Sequence, residues 1–252
     1  MSQIKSVAFP VVGGVTAFPS EGFAYDGVLA RSASNYDGTN DYVSWASAVH
    51  GVGDSAGAYL ISFWINPEND ADEYVLAFGN RVFIRRKTNG QFILTGKTSG
   101  NVVIVAVEAT TGVSALDTWC HVVFSGVPGS EAQVYVDGED ALGAASTNDA
   151  GTLRFEETLY AGATGGGTPS LTGSLSEVYI TQPATFFDLS APGNIDKFIT
   201  ATGSPESLGY QAINVTGSVP QIYLPDGGLS NNHGAGGQGT IVGPPTSARP
   251  PT

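Results

Sequence analysis

The feature that most constrains this 252-residue chain is its punctuation, because 34 glycines and 14 prolines cut it into short stretches. Stretches so short cannot sustain the apolar period of a helical bundle or a coiled coil. Between the breaks the residues are Val-, Ile-, Phe- and Tyr-rich, the types that fit a pleated surface. Ala58 to Pro67 is one such run, closed by a proline that cannot donate to a sheet ladder. Arg81 to Lys87 and Gln91 to Thr95 flank Thr88-Asn89-Gly90, a hairpin signal in which Asn-Gly supplies positive φ. Tyr36-Asp37-Gly38-Thr39-Asn40-Asp41-Tyr42-Val43 sets a second turn between two strands. Tyr74 to Phe78, Trp119 to Phe124, Ala132 to Val136, Thr152 to Tyr160 and Gly173 to Ile180 read as further strands. Val102 to Val107 is apolar throughout, which predicts a strand covered on both faces. The turn signals recur about every 8–15 residues, which favours a sandwich over βαβ units.

Phe9 to Leu29 reads as an entry strand with loops. After Ile180 the texture changes. Ser190 to Ile199 predicts one short helix, with Ser190 or Asp188 as N-cap and Pro192 in the first turn. Val219 to Leu224 reads as a return strand. From Gly227 the chain is Gly-, Asn- and Pro-rich, too poor in apolar residues to fold alone, so a neighbouring subunit is expected to order it. The expected division is a sandwich over 1–185, a helix and return strand packed on it over 186–226, and an extension over 227–252.

Ten basic residues against 23 acidic ones leave a net charge of −13. Such a surface repels polyanions, and nucleic acid is not an expected partner. Cys120 is the one cysteine, so no intrachain disulfide forms. The first residues hold no signal-peptide apolar run and no stretch reaches the ~20 apolar residues of a membrane helix. The expectation is a protein made in a cytoplasm, with no membrane partner.

Several motifs fail on their spacing. Gly96-Lys97-Thr98 is separated from Gly90 by five residues, not the four the motif needs, and they include a strand, so it is not a phosphate loop. Cys120 and His121 are neighbours on a strand and point to opposite faces, which prevents a dyad. The carboxylate pairs fall in turns or side by side, not in the alternation a glycosidase strand needs. Two constellations survive. Asp37, Asn40 and Asp41, with Asp26 as a further oxygen ligand, form a candidate Ca²⁺ turn; no cofactor is required otherwise. Arg81, Arg85 and Lys87 share one strand face, with Arg86 opposite, and read as contacts for an anionic glycan or an acidic subunit surface. Tyr42, Tyr59 and Tyr160 are candidate rings for sugar stacking.

The segments also line up with a family. Tyr36 to Val43 resembles the "FDGxxDYV" opening of laminin-G-like, concanavalin-A-like domains, and Ile61 to Pro67 resembles their "FTxxxWVKP" strand. Trp119-Cys120-His121-Val122-Val123 is similar to "WHHVA", Val134 to Gly138 to "LYVDG", and Gly173 to Ile180 to "GxIxEVxIY". The resemblance implies an all-β, two-sheet antiparallel jelly-roll sandwich, here with one short helix and an extended C-terminal tail. It also implies binding of glycans or proteins through rim loops, sometimes with Ca²⁺. The alternating "ExDxxE" acids of glucanases with this fold are missing, so the expected function is non-enzymatic. Phe186 to Leu224 further resembles the region after such domains in tailed-phage structural proteins. That implies a virion surface protein, a capsid decoration or a tail component. Its expected partners are other virion proteins, further copies of itself as a homo-oligomer, with a trimer favoured, and a host-surface glycan. A lectin-like module for host glycans is the alternative.

Overall fold

The apolar stretches become strands; Val82–Arg86 buries alternate residues, whereas Tyr59–Pro67, Cys120–Val127 and Thr172–Thr181 are buried on both faces. The computed structural model describes residues 33–110, 115–144, 146–168, 170–209, 211–225, 232–243, 245–248 and 250–251. Asp26 and the expected entry strand over Phe9 to Leu29 lie outside them. The first half comprises β1 (Ala33–Asp37), β2 (Tyr42–Trp45), the four-residue helix α1 (Ser47–His50), β3 (Tyr59–Pro67), β4 (Glu73–Phe78), β5 (Val82–Arg86), β6 (Phe92–Lys97) and β7 (Val103–Glu108). Then follow β8 (Cys120–Val127), β9 (Glu131–Val136), β10 (Glu139–Asp140), β11 (Thr147–Asn148), β12 (Leu159–Ala161) and β13 (Thr172–Thr181). The chain ends with β14 (Ile222–Leu224), β15 (Thr240–Val242) and β16 (Thr246–Ala248).

These strands make two antiparallel sheets of eight. The first runs β10-β9-β8-β3-β13-β1-β16, with β14 also on β13; the second runs β11-β7-β6-β5-β4-β12-β2-β15. Tyr36, Phe63, Phe78, Phe92, Phe124 and Leu175 from the inner faces fill the space between them. Each such ring taken out of water stabilises the fold by roughly 1.5–3 kcal/mol. This is the jelly-roll sandwich that the resemblance implied.

A second cluster lies on the outer face of the first sheet. Leu60, Val123 and Tyr179 from the strands meet Phe187, Leu189, Phe198, Leu208 and Val215 from the segment that follows β13. Polar bonds fix this roof: Ser125 Oγ donates to the Phe187 carbonyl at 2.6 Å, and Gln133 bonds both Asp188 and the Leu189 N–H. His121 is enclosed beneath it, between Trp64 and Phe198.

Three expectations are corrected. Ser190 to Ile199 is not one helix; only Ile195–Lys197 form a 3-10 turn, because Gly193 sits at φ 78° and breaks the helical path. β7 is not covered on both faces, since Val102 and Val103 are 60 % and 45 % exposed. The third concerns the tail: β15 pairs with β2 and β16 with β1, so this chain's own sheets, not a neighbouring subunit, hold these residues.

Candidate functional site

Among the described residues the second sheet carries no such roof from the segment after β13, and its outer face presents half-buried side chains. One row runs across all eight strands in register: Thr147, Ala106, Thr95, Phe83, Ala77, Tyr160, Ser44 and Thr240. The next row brings Glu108, Ile93, Arg85 and Tyr74 side by side. A β-bulge between Tyr74 and Leu76 lets Tyr74 share this outer face while Glu73 faces inward.

Two aromatic pairs result. Tyr42 and Tyr160 have ring centroids 5.9 Å apart, and Tyr74 and Phe83 are 5.3 Å apart. Cations lie over the second pair: Arg85 is 5.7 Å from the Tyr74 centroid and 5.8 Å from that of Phe83, and Lys97 Nζ is 5.4 Å from Phe83. Arg85 Nε has no hydrogen-bond partner among the described residues. Lys87 is closed off by Glu108 at 2.6 Å, and Arg81 Nε lies 4.0 Å from Glu157. Arg81, Arg85 and Lys87 thus share the face the sequence gave them, while Arg86 opposite is 1 % exposed and donates to the Asn69 carbonyl.

At the Arg81 end the face opens into a polar cleft of about 320 Å³, lined by Gly79, Asn80, Arg81, Asn101, Glu157 and Gly165. Its floor is bare backbone. A Cβ on Gly165 would stand 1.8 Å from the Gly79 carbonyl oxygen, so only glycine fits.

Tyr59 is not on any such surface, which corrects its place among the stacking rings. It is 1 % exposed in the core, in register with Gly126, whose missing side chain makes room for the phenol. Burial pushes its hydroxyl well above the ordinary tyrosine range. Tyr74, Phe83 and Lys97 were not among the sequence candidates; Phe83 was findable, being two residues from both Arg81 and Arg85 on the same strand face.

Asp37, Asn40 and Asp41 do meet in one turn. Asp37 Oδ1 accepts from the Thr39 and Asn40 N–H groups, and Asp41 Oδ2 accepts from the Asp37 N–H. Burial raises the Asp41 carboxyl, and the charge of Asp37 adds to that. Two carboxylates already holding backbone donors fall short of the six to eight oxygens Ca²⁺ takes. Among the described residues no three His, Cys, Asp or Glu side chains converge as a metal site.

Two antiparallel eight-stranded sheets packed face to face define a jelly-roll sandwich domain. The chain belongs to the concanavalin A-like lectin/glucanases superfamily, whose Laminin_G_3 family model matches residues 37–185. Among solved structures it is similar to a Bacteroides ovatus ATCC 8483 protein named "putative carbohydrate binding protein" (TM-score 0.57, 13 % identity). That match covers 88 % of this chain and 61 % of the other, so the chain spans about three-fifths of its length. Domain 4 of the Geobacillus stearothermophilus arabinanase AbnA, in complex with arabinotriose, matches at TM-score 0.47 and 17 % identity, over 68 % of this chain and 78 % of that one. A heptameric SAP-like pentraxin of Limulus polyphemus matches at 0.41 and 16 %, over 65 % and 81 %. No curated protein sequence matches the chain.

Proposed function

We propose that this chain is a non-enzymatic carbohydrate-binding module that takes glycan on the outer face of the second sheet. The observation that carries the reading is the pair of aromatic clusters, Tyr42/Tyr160 and Tyr74/Phe83, set in adjoining register rows with Arg85 between rings. Sugar rings stack their C–H faces on aromatic side chains, and the half-buried Arg85 guanidinium places a positive charge beside the rings that attracts hydroxyl or carboxylate oxygens. Glu108 on this face is tied to Lys87, an arrangement that supports binding more than acid catalysis. The name of the Bacteroides ovatus structure points the same way.

The segment from Phe186 to Leu224, which carried the resemblance to phage structural proteins, has a local task in roofing the first sheet. Its apolar residues pack on this chain's own first sheet. A glycan array with wild type and the Tyr42→Ala/Tyr160→Ala and Arg85→Ala variants tests the proposal. Specific binding by wild type, weakened about tenfold or more in the variants, supports it. An array with no bound glycan, or variants that bind as wild type does, sinks it.

A further inference from the structure

The roof on the first sheet is incomplete. It covers Leu60, Val123 and Tyr179, but at the other end of β3 the outer face stays open as a cavity of about 390 Å³. That size falls within the roughly 300–1,000 Å³ of small-molecule pockets. Strand register builds its floor: Asn66 pairs with Ser174, and Ser174 with Asn35, so three polar side chains lie in one row across β3, β13 and β1. Trp119, the residue before β8, closes one side, and Ala248 and Pro250 form another.

The polar groups are held in place. Asn35 Nδ2 donates to Glu68 Oε1 at 2.5 Å and to Ser174 Oγ at 3.2 Å, which ties the Glu68 carboxylate to the lip. Asp117 is fixed at the mouth by a left-handed backbone, φ 56°, and a bond from its N–H to the Pro67 carbonyl. One group is left over: Asn66 Oδ1 is enclosed and has no hydrogen-bond partner among the described residues.

We propose that this cavity is a second ligand site, separate from the face of the second sheet, and that it takes a single neutral sugar residue. Trp119 supplies an aromatic surface for the sugar's apolar face. Asn66 and Asn35 meet its hydroxyls with amide groups, and Glu68 and Asp117 accept from hydroxyl donors. Two carboxylates at the rim, Glu68 and Asp117, disfavour an anionic sugar. The second-sheet face, with Arg85 and Lys97, has the opposite electrostatic bias.

The test is saturation-transfer NMR on the full chain with the methyl glycosides of glucose, mannose, galactose and N-acetylglucosamine, each titrated to tens of millimolar. At least one should bind saturably with Kd on the order of 1 mM. Trp119→Ala and Asn35→Ala should each weaken that binding about tenfold or more. Thermal melts report folding, and Asn35→Ala decides the matter if Trp119→Ala does not fold. Saturable binding by none of the four overturns the proposal, as does undiminished binding by Asn35→Ala. Binding lost only in the double tyrosine variant overturns it too, while leaving the second-sheet reading intact.

Discussion

Acid should unfold this protein through one histidine in particular. His121 has no exposed surface, stacks with Phe198 at 5.8 Å, and engages Ser62 Oγ through Nε2 at 2.8 Å. Burial lowers its pKa to about 3. An unfolded histidine titrates near ~6.5. Between those values the unfolded chain binds a proton that the native one refuses, so stability rises with pH across the window and is lost as pH falls below about 6.5. At about pH 4.5, two units down, the loss is about 3 kcal/mol. His50 is lowered by burial as well and adds to the slope, whereas Glu73 and Asp137, whose carboxyls burial raises, oppose it. All three are retained in His121→Phe, which keeps a ring in the stack and the backbone N–H that Asp137 accepts. The variant leaves the Ser62 hydroxyl unpaired and so starts about 1–3 kcal/mol less stable at neutral pH. Urea melts of both proteins at about pH 7 and about pH 4.5 isolate the titration. Wild type should lose about 3 kcal/mol more than the variant between the two; equal losses would refute the reasoning.

Other outcomes follow from the packing. Gly165→Ala should destabilise by about 3 kcal/mol or more, read as a fall in Tm, because its methyl meets the fixed Gly79 backbone. Cys120 is buried and its thiol is pushed well up by burial, so a disulfide-exchange reagent should leave it untouched in the native protein and titrate it in urea. Removing everything from Gly239 onward strips the partners of β1 and β2, and light scattering should then show association through the bared edges.

The strands were legible because their ends are chemical: Asn89-Gly90 and Asp137-Gly138 take positive φ where a turn needs it, at Gly90, Asp137 and Gly138. The two faces of β5 were legible too, since period two alone separates Arg85 from Arg86. What the strand pattern does not carry is which face finds a cover. Tyr59 and Tyr160 are both strand tyrosines; one enters the core over Gly126 and the other lies in the open row of the second sheet. The apolar run at Val102 to Val107 looked doubly covered because its composition does not record whether a second layer lies over its outer face, and Val102 and Val103 stay exposed. Trp119 was read as the start of a strand and as part of a family motif. Its place beside Asn66 depends on β3 and β8 pairing across a long separation, which no local window records.

The way the two sheets are finished has a consequence for how the molecule is made. A ribosome delivers β1 and β2 early, yet β1 waits for β13 on one side and β16 on the other, and β2 waits for β12 and β15. Ala33 meets Ala248 from the far end of the described chain. Pairings that distant slow folding. While synthesis is under way the nascent sandwich must carry both early strands without their final neighbours, so a chain stalled short of Thr240 exposes an open margin on each sheet at once.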